Sequence, residues 1–180
     1  VYDHWLSKPY EDACEEDAEL NCKKGVIYRP NHGLAHAIRT SFLVEIVVEN
    51  LKVCAENPEI FSFGKKQLFL LQLCALFWTV GRNSEIGFAD NPQQFQEYRK
   101  QSARCFSEYV RFTYPNLLSE DEFYYYGKLI DNKNLYTDDP QSIVLNIVHR
   151  LDLSRCDTPD QYRKRALEEM SRYISQDRLR

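Results

Sequence analysis

Three short stretches of the chain carry side chains that can move protons or hold phosphate. The first is Tyr28-Arg29-Pro30-Asn31-His32-Gly33-Leu34-Ala35-His36-Ala37-Ile38-Arg39-Thr40. Proline, asparagine, glycine and two histidines add little to the stability of a helix start, so they call for another reason. With a helix opening near His32, that residue and His36 project from one face a turn apart, and Arg39 follows three residues on. The face is basic and rich in imidazole, and it lies beside backbone N–H groups that favour an anion. Its natural ligand is a phosphate. A plainer reading makes His32 a helix cap and His36 a hydrogen-bonded core residue.

The second stretch is Gly81-Arg82-Asn83-Ser84-Glu85-Ile86-Gly87-Phe88. A charged turn directly after an apolar helix is well placed to deliver Glu85 into a cleft, where a carboxylate orients an imidazole or accepts its proton. The alternative is an ordinary solvent-exposed loop. Glu97 is the competing carboxylate, although its neighbours Tyr98, Arg99 and Lys100 suggest a surface position. The third stretch is Ile147-Val148-His149-Arg150-Leu151-Asp152-Leu153-Ser154-Arg155-Cys156. His149 interrupts an apolar run, a place where a hydrogen-bonded core histidine is common. Asp152, three residues on, can fix its tautomer or hold it charged, and Arg155 falls one turn further. An arginine fork grips phosphate oxygens while an imidazolium protonates a departing oxygen, so this set suits cleavage of a phosphoester.

The histidine pair could instead hold a metal. Helical metal-dependent phosphohydrolases of the HD class need an adjacent His-Asp dipeptide, which the chain lacks, and neither His32 nor His36 opens an H-E-x-x-H motif. Six cysteines, Cys14, Cys22, Cys54, Cys74, Cys105 and Cys156, are scattered without a C-x-x-C pair. They read as reduced core thiols, and no metal site is expected.

The elements that must position these residues are helical. Leu34, Ile38, Phe42 and Ile46 form one apolar stripe and Leu43, Val47, Leu51 and Cys54 a second, which together suit a central helix. Lys65 to Val80 is almost wholly apolar and should be buried on most sides, ending at Gly81 as a helix C-terminus favours. Asn91-Pro92, Asp139-Pro140 and Thr158-Pro159 each pair a capping residue with a proline at the first helical position. Ser119 with Glu122 is a capping box. No convincing apolar and polar alternation and no hairpin turn occurs.

The expected fold is therefore all-α, a compact single-domain helical bundle. An acidic arm over residues 1–24 precedes a catalytic core over 25–160 and a C-terminal helix over 161–180. A length of 180 residues suits one sizeable core. With 43% hydrophobic and 28% charged residues the chain is a folded protein rather than a disordered tail, and Gln72 breaks its longest apolar run, so no membrane span is expected. A net charge of −4 argues against general nucleic-acid binding. Residues 161–180 mix Arg163, Lys164, Arg165 and Arg172 with Glu168 and Glu169, as a solvated face does. The chain opens at Val1 without a cleavable signal, which suggests a module of something longer.

The blocks Tyr-Arg-Pro-Asn-His-Gly-Leu-Ala-His followed by an arginine, Val-Gly-Arg-x-x-Glu, and His-x-x-Asp-Leu-x-Arg-Cys occur in that order over residues 25–160. Together they resemble the phosphodiesterase domain of the SidE family of Legionella effectors. The first block is the most specific and the second the weakest. The resemblance implies an all-helical domain without cofactor or metal that works on ADP-ribosylated ubiquitin. The pyrophosphate is cleaved, AMP leaves, and phosphoribosyl-ubiquitin passes to a serine of a host substrate protein or to water. Related members remove phosphoribosyl-ubiquitin from serine.

Residue by residue, the resemblance implies that His32 is the nucleophile, that Glu85 holds its imidazole, and that His149 is the general acid and later the general base. It implies that His36, Arg39 and Arg155 contact phosphate and that Arg29 and Asn31 shape the pocket mouth. The spacing between the first two blocks is short for the family, which keeps Glu97 open beside Glu85. The resemblance also implies a secreted bacterial effector acting in the host cell cytoplasm. Two other readings stand beside it: a metal-dependent HD-like nucleotide phosphohydrolase, and a non-catalytic module that binds ubiquitin or a nucleotide.

Overall fold

Cap chemistry and apolar periodicity set most of the boundaries seen in the computed structural model, which describes residues 33–82, 92–131 and 138–153 together with 164, 167, 168 and 171. Five α-helices occur among these residues and no strand: α1 Leu34–Cys54, α2 Lys65–Phe77, α3 Pro92–Thr113, α4 Glu120–Asp131 and α5 Pro140–Leu153. A short 3-10 turn, Pro58–Phe61, separates α1 from α2. The fold is all-helical, as the sequence implies. The arm over residues 1–24 and the Thr158-Pro159 helix start lie outside the described residues.

Two of the start signals can be checked atom by atom. At α4 the Glu122 backbone N–H donates to Ser119 Oγ at 3.3 Å, while the Ser119 N–H donates to Glu122 Oε2 at 2.8 Å. This reciprocal pairing satisfies donors that the first helical turn leaves orphaned. At α5 the Ser142 N–H donates to Asp139 Oδ2 at 3.1 Å, an N-cap followed by Pro140. The third, α3, begins at Pro92.

The chain forms two compact units. One comprises residues 1–37 and 76–132, the other 38–75 and 133–180. In the first, α3 packs on α4. Its aromatic core sets Phe77 edge-on to Phe106 at 6.1 Å and 5.2 Å from Tyr109. On the surface Arg111 grips both carboxylate oxygens of Glu120 at 2.7 Å and lies 4.0 Å over the Phe123 ring.

In the second unit the 3-10 turn packs against α5, and Phe61 is buried there. Thr40 Oγ1 donates to the Ala75 carbonyl at 3.4 Å, linking α1 to the end of α2. Every residue of α5 from Gln141 to His149 is buried. On α1 only part of the expected apolar face is covered. Val44, Val47, Val48 and Leu51 are buried, whereas Phe42 is 70% exposed, Ile46 57% and Val53 67%. The wide apolar face suits a central helix, but α1 packs through one side of it and leaves the stripe of Ile38, Phe42 and Ile46 exposed. The apolar stretch of α2 is buried through Leu70, Leu71, Leu73, Cys74 and Phe77, as its composition requires.

Candidate functional site

Local sequence explains where the expected site residues fall. Helix α1 opens at Leu34, and the Ala37 N–H donates to the Gly33 carbonyl at 3.1 Å. His36 therefore stands in the first turn and is buried, and Arg39 follows one turn later with its side chain 41% exposed. His149 is buried on α5, and Asp152 lies one turn beyond it in the final turn of the same helix. Arg29, Asn31, His32, Glu85 and Arg155 lie outside the described residues.

One pairing ties α1 to α5. Arg39 Nε donates to Asp152 Oδ1 at 2.5 Å and Nη2 donates to Oδ2 at 3.2 Å. The Asp152 side chain is only 3% exposed. Asp152 thus engages both of its carboxylate oxygens with an arginine from a helix 113 residues earlier. Sequence spacing suggests His149 as a partner of Asp152, since both stand on one helix; Arg39, a tertiary partner, is visible only in the fold.

Helix α5 carries a further polar residue that sequence reasoning passed over. Asn146 is buried, as is Ser142 one turn before it. Ser142, Asn146 and His149 follow the i, i+4, i+7 pattern of one helix face. Polar groups in that register inside an apolar run must find partners, so the pattern itself marks a buried polar face. That periodicity was the signal available in the sequence.

Glu97 behaves as a surface residue. Lys100 Nζ donates to its Oε1 at 2.9 Å, and that bond, helped by the charge, holds the carboxyl below the usual carboxylate range. An apolar groove of about 140 Å³ opens between α1 and α5, lined by Leu43, Ile46, Val47, Leu51, Ile147 and Leu151. None of the expected site residues lines it. Among the described residues no group of three His, Cys, Asp or Glu side chains is placed to hold a metal ion, and no helix is long and apolar enough to cross a membrane.

The chain is similar to two much longer proteins of Legionella pneumophila. It is 28% identical over 191 residues, 97% of its own length, to the ubiquitinating/deubiquitinating enzyme SdeA. It is 27% identical over 175 residues to the ubiquitinating enzyme SidE. It spans 12% and 11% of the length of these relatives. Among solved structures it shares its fold with the C-terminal domain of lpg1496 from the same organism. The TM-score is 0.75 at 20% identity, covering 96% of this chain and 74% of that one. The same domain has been seen in complex with nucleotide, a structure that matches with a TM-score of 0.75 at 19% identity over 94% of this chain and 72% of that one. The SidE phosphodiesterase (PDE) domain family matches residues 9–178, and with nearly the whole chain inside that match, the chain belongs to this family.

Proposed function

We propose that the chain is a phosphodiesterase acting on ADP-ribosylated ubiquitin. The observation that carries this reading is the family match over residues 9–178, within which fall both histidine-bearing blocks. Two relatives are ubiquitinating enzymes, and a protein of the same fold binds nucleotide, the kind of group that AMP would present. The acceptor is a serine of a host substrate protein or water, and the reverse task, removal of phosphoribosyl-ubiquitin from serine, uses the same groups. Kinship with Legionella enzymes supports an effector that acts in the host cell cytoplasm.

The chemistry follows from the residue types. An imidazole nitrogen of His32 attacks the phosphorus on the ribose side of the pyrophosphate, forming a P–N bond as the P–O bond to AMP breaks. His149 gives its proton to the departing AMP oxygen and then takes one from the acceptor hydroxyl, whose oxygen displaces His32 from phosphorus. Glu85 holds the His32 ring in the tautomer that leaves the attacking nitrogen unprotonated. His36, Arg39 and Arg155 offset the charge of the diphosphate, with Arg29 and Asn31 at the mouth. No step requires a metal, because charge neutralisation and one proton suffice.

Incubation with ADP-ribosylated ubiquitin and a serine peptide in the presence of EDTA, followed by intact-mass measurement of both products, tests this reading. AMP release with phosphoribosyl-ubiquitin on serine or on water is the expected result. A verified substrate that yields no AMP would overturn it. Hydrolysis of simple nucleotides that stops on chelation would favour the metal-dependent alternative.

A further inference from the structure

The ion pair between Arg39 and Asp152 is built asymmetrically. The carboxylate is almost wholly buried at 3% exposure, whereas the guanidinium it holds is 41% exposed. A guanidinium has five N–H donors in a rigid plane. The two bonds to Asp152 use Nε and Nη2, along one edge of that plane. The contact is side-on, so the plane is fixed by two bonds at once rather than swinging about one. Arg39 and Asp152 belong to the same compact unit. Asp152 stands in the last turn of α5, in a helix whose preceding residues are nearly all buried.

Burying a carboxylate is costly, and a partly buried ion pair returns little net stability. The arrangement makes better sense as preorganisation. A long, rotamer-rich arginine loses entropy when it meets an oxyanion unless something has already fixed it. Holding one edge of the plane from the protein side leaves the binding step less ordering to do, and phosphate oxygens match the geometry of an arginine fork. We propose that Asp152 is a positioning residue that presents Arg39 to a phosphate group of the substrate. This rests on the phosphodiesterase reading above and adds to it a residue whose role is exerted through Arg39.

The test is a double-mutant cycle on the full chain with Asp152→Asn, Arg39→Gln and the double variant. Three quantities are measured: kcat and KM for AMP release from ADP-ribosylated ubiquitin, the dissociation constant for free ADP-ribose, and the melting temperature. Asp152→Asn alone should weaken ADP-ribose binding and lower kcat/KM by about tenfold or more, the scale of one charge-assisted hydrogen bond. In the Arg39→Gln background the same change should add less than about twofold, because the group through which Asp152 acts is already gone. Losses that multiply in the double variant, or an Asp152→Asn protein that binds ADP-ribose as the wild type does, would overturn the proposal. Asp152→Glu provides the second variant should Asp152→Asn not fold. It keeps the charge, displaces the plane by one methylene, and should weaken binding with little change in melting temperature; unchanged binding counts against the proposal. If the wild type releases no AMP, the phosphodiesterase reading fails by itself, and the binding cycle still decides whether Asp152 serves Arg39.

Discussion

The backbone N–H of Gly81 donates to Ser102 Oγ at 2.9 Å, and a Cβ built on Gly81 would stand 2.4 Å from the Tyr98 carbonyl oxygen and 2.5 Å from the Ser102 nitrogen. Residue 81 lies against the backbone of α3 with no room for a side chain. Both atoms in the way belong to a helix backbone and cannot turn aside as a flexible side chain would. Gly81→Ala is therefore expected to destabilise the protein by about 2 kcal/mol or more, the cost of forcing a group into a packed interior. Urea unfolding followed by circular dichroism would show a lowered midpoint with the slope unchanged. A midpoint equal to that of the wild type would show that α3 can shift away freely.

Gly81 also marks the limit of what the sequence discloses. A glycine after an apolar run suggests a helix C-cap, yet α2 ends at Phe77 and the backbone at Gly81 does not take the left-handed conformation of such caps. Its reason lies on α3, out of reach of any local pattern. The caps at Ser119 and Asp139, by contrast, were legible because donor and acceptor are within three residues of each other. Helix existence and start points are local physics. Which face of a helix meets a neighbour is not.

Helix α1 shows that difference and carries a second prediction. Its two apolar stripes have similar composition, so periodicity could not say which one would be buried. Leu51 is buried, while Phe42 is largely solvent-facing. Leu51→Ala should cost about 2–5 kcal/mol through lost burial and the cavity left behind. Phe42→Ser should change stability by no more than about 0.5 kcal/mol, as surface substitutions usually do. Thermal denaturation of the two variants side by side separates them; a large loss in Phe42→Ser would mean that this face is covered in solution.

The cysteines are expected to divide by burial. Cys74 and Cys105 are buried and Cys54 is half-buried. Burial alone pushes the Cys74 thiol far above the ordinary thiol range. Since the thiolate is the nucleophile, a raised value leaves the group protonated and unreactive at neutral and mildly alkaline pH. Brief iodoacetamide treatment at pH 8, followed by peptide mapping, should modify Cys54 while sparing Cys74 and Cys105 until denaturant is added. Rapid labelling of Cys74 in the native protein would contradict its place in the core.

The candidate site was legible as residue types and only partly as geometry. The histidine and arginine blocks suggest phosphate chemistry through residue types alone. Asp152 is paired with His149 by spacing along one helix, the only distance a sequence measures. Its bonds to Arg39 depend on α1 and α5 meeting, which no spacing encodes. Asn146 was hidden for a different reason: a lone asparagine in an apolar run is conspicuous only when aligned with Ser142 and His149.

His149 supplies the sharpest test of the proposed mechanism, because its two tasks are unequally demanding. AMP leaves as a phosphate monoester whose second ionisation lies near pH 6, so at neutral pH its departure needs little help from an acid. The acceptor is a serine hydroxyl or water, and neither attacks phosphorus well without losing a proton to a base. Replacing His149 by asparagine should therefore slow the second step more than the first. The expected result is a burst of AMP equal to the enzyme present, followed by turnover about 100-fold or more below wild type. During the stall, intact-mass analysis should show phosphoribosyl-ubiquitin covalently attached to the chain, and the adduct should vanish when His32→Ala is added. Steady turnover near the wild-type rate in His149→Asn would remove His149 from both steps. A slow rate with neither burst nor adduct would instead place its contribution before P–N bond formation, in binding or in protonating AMP.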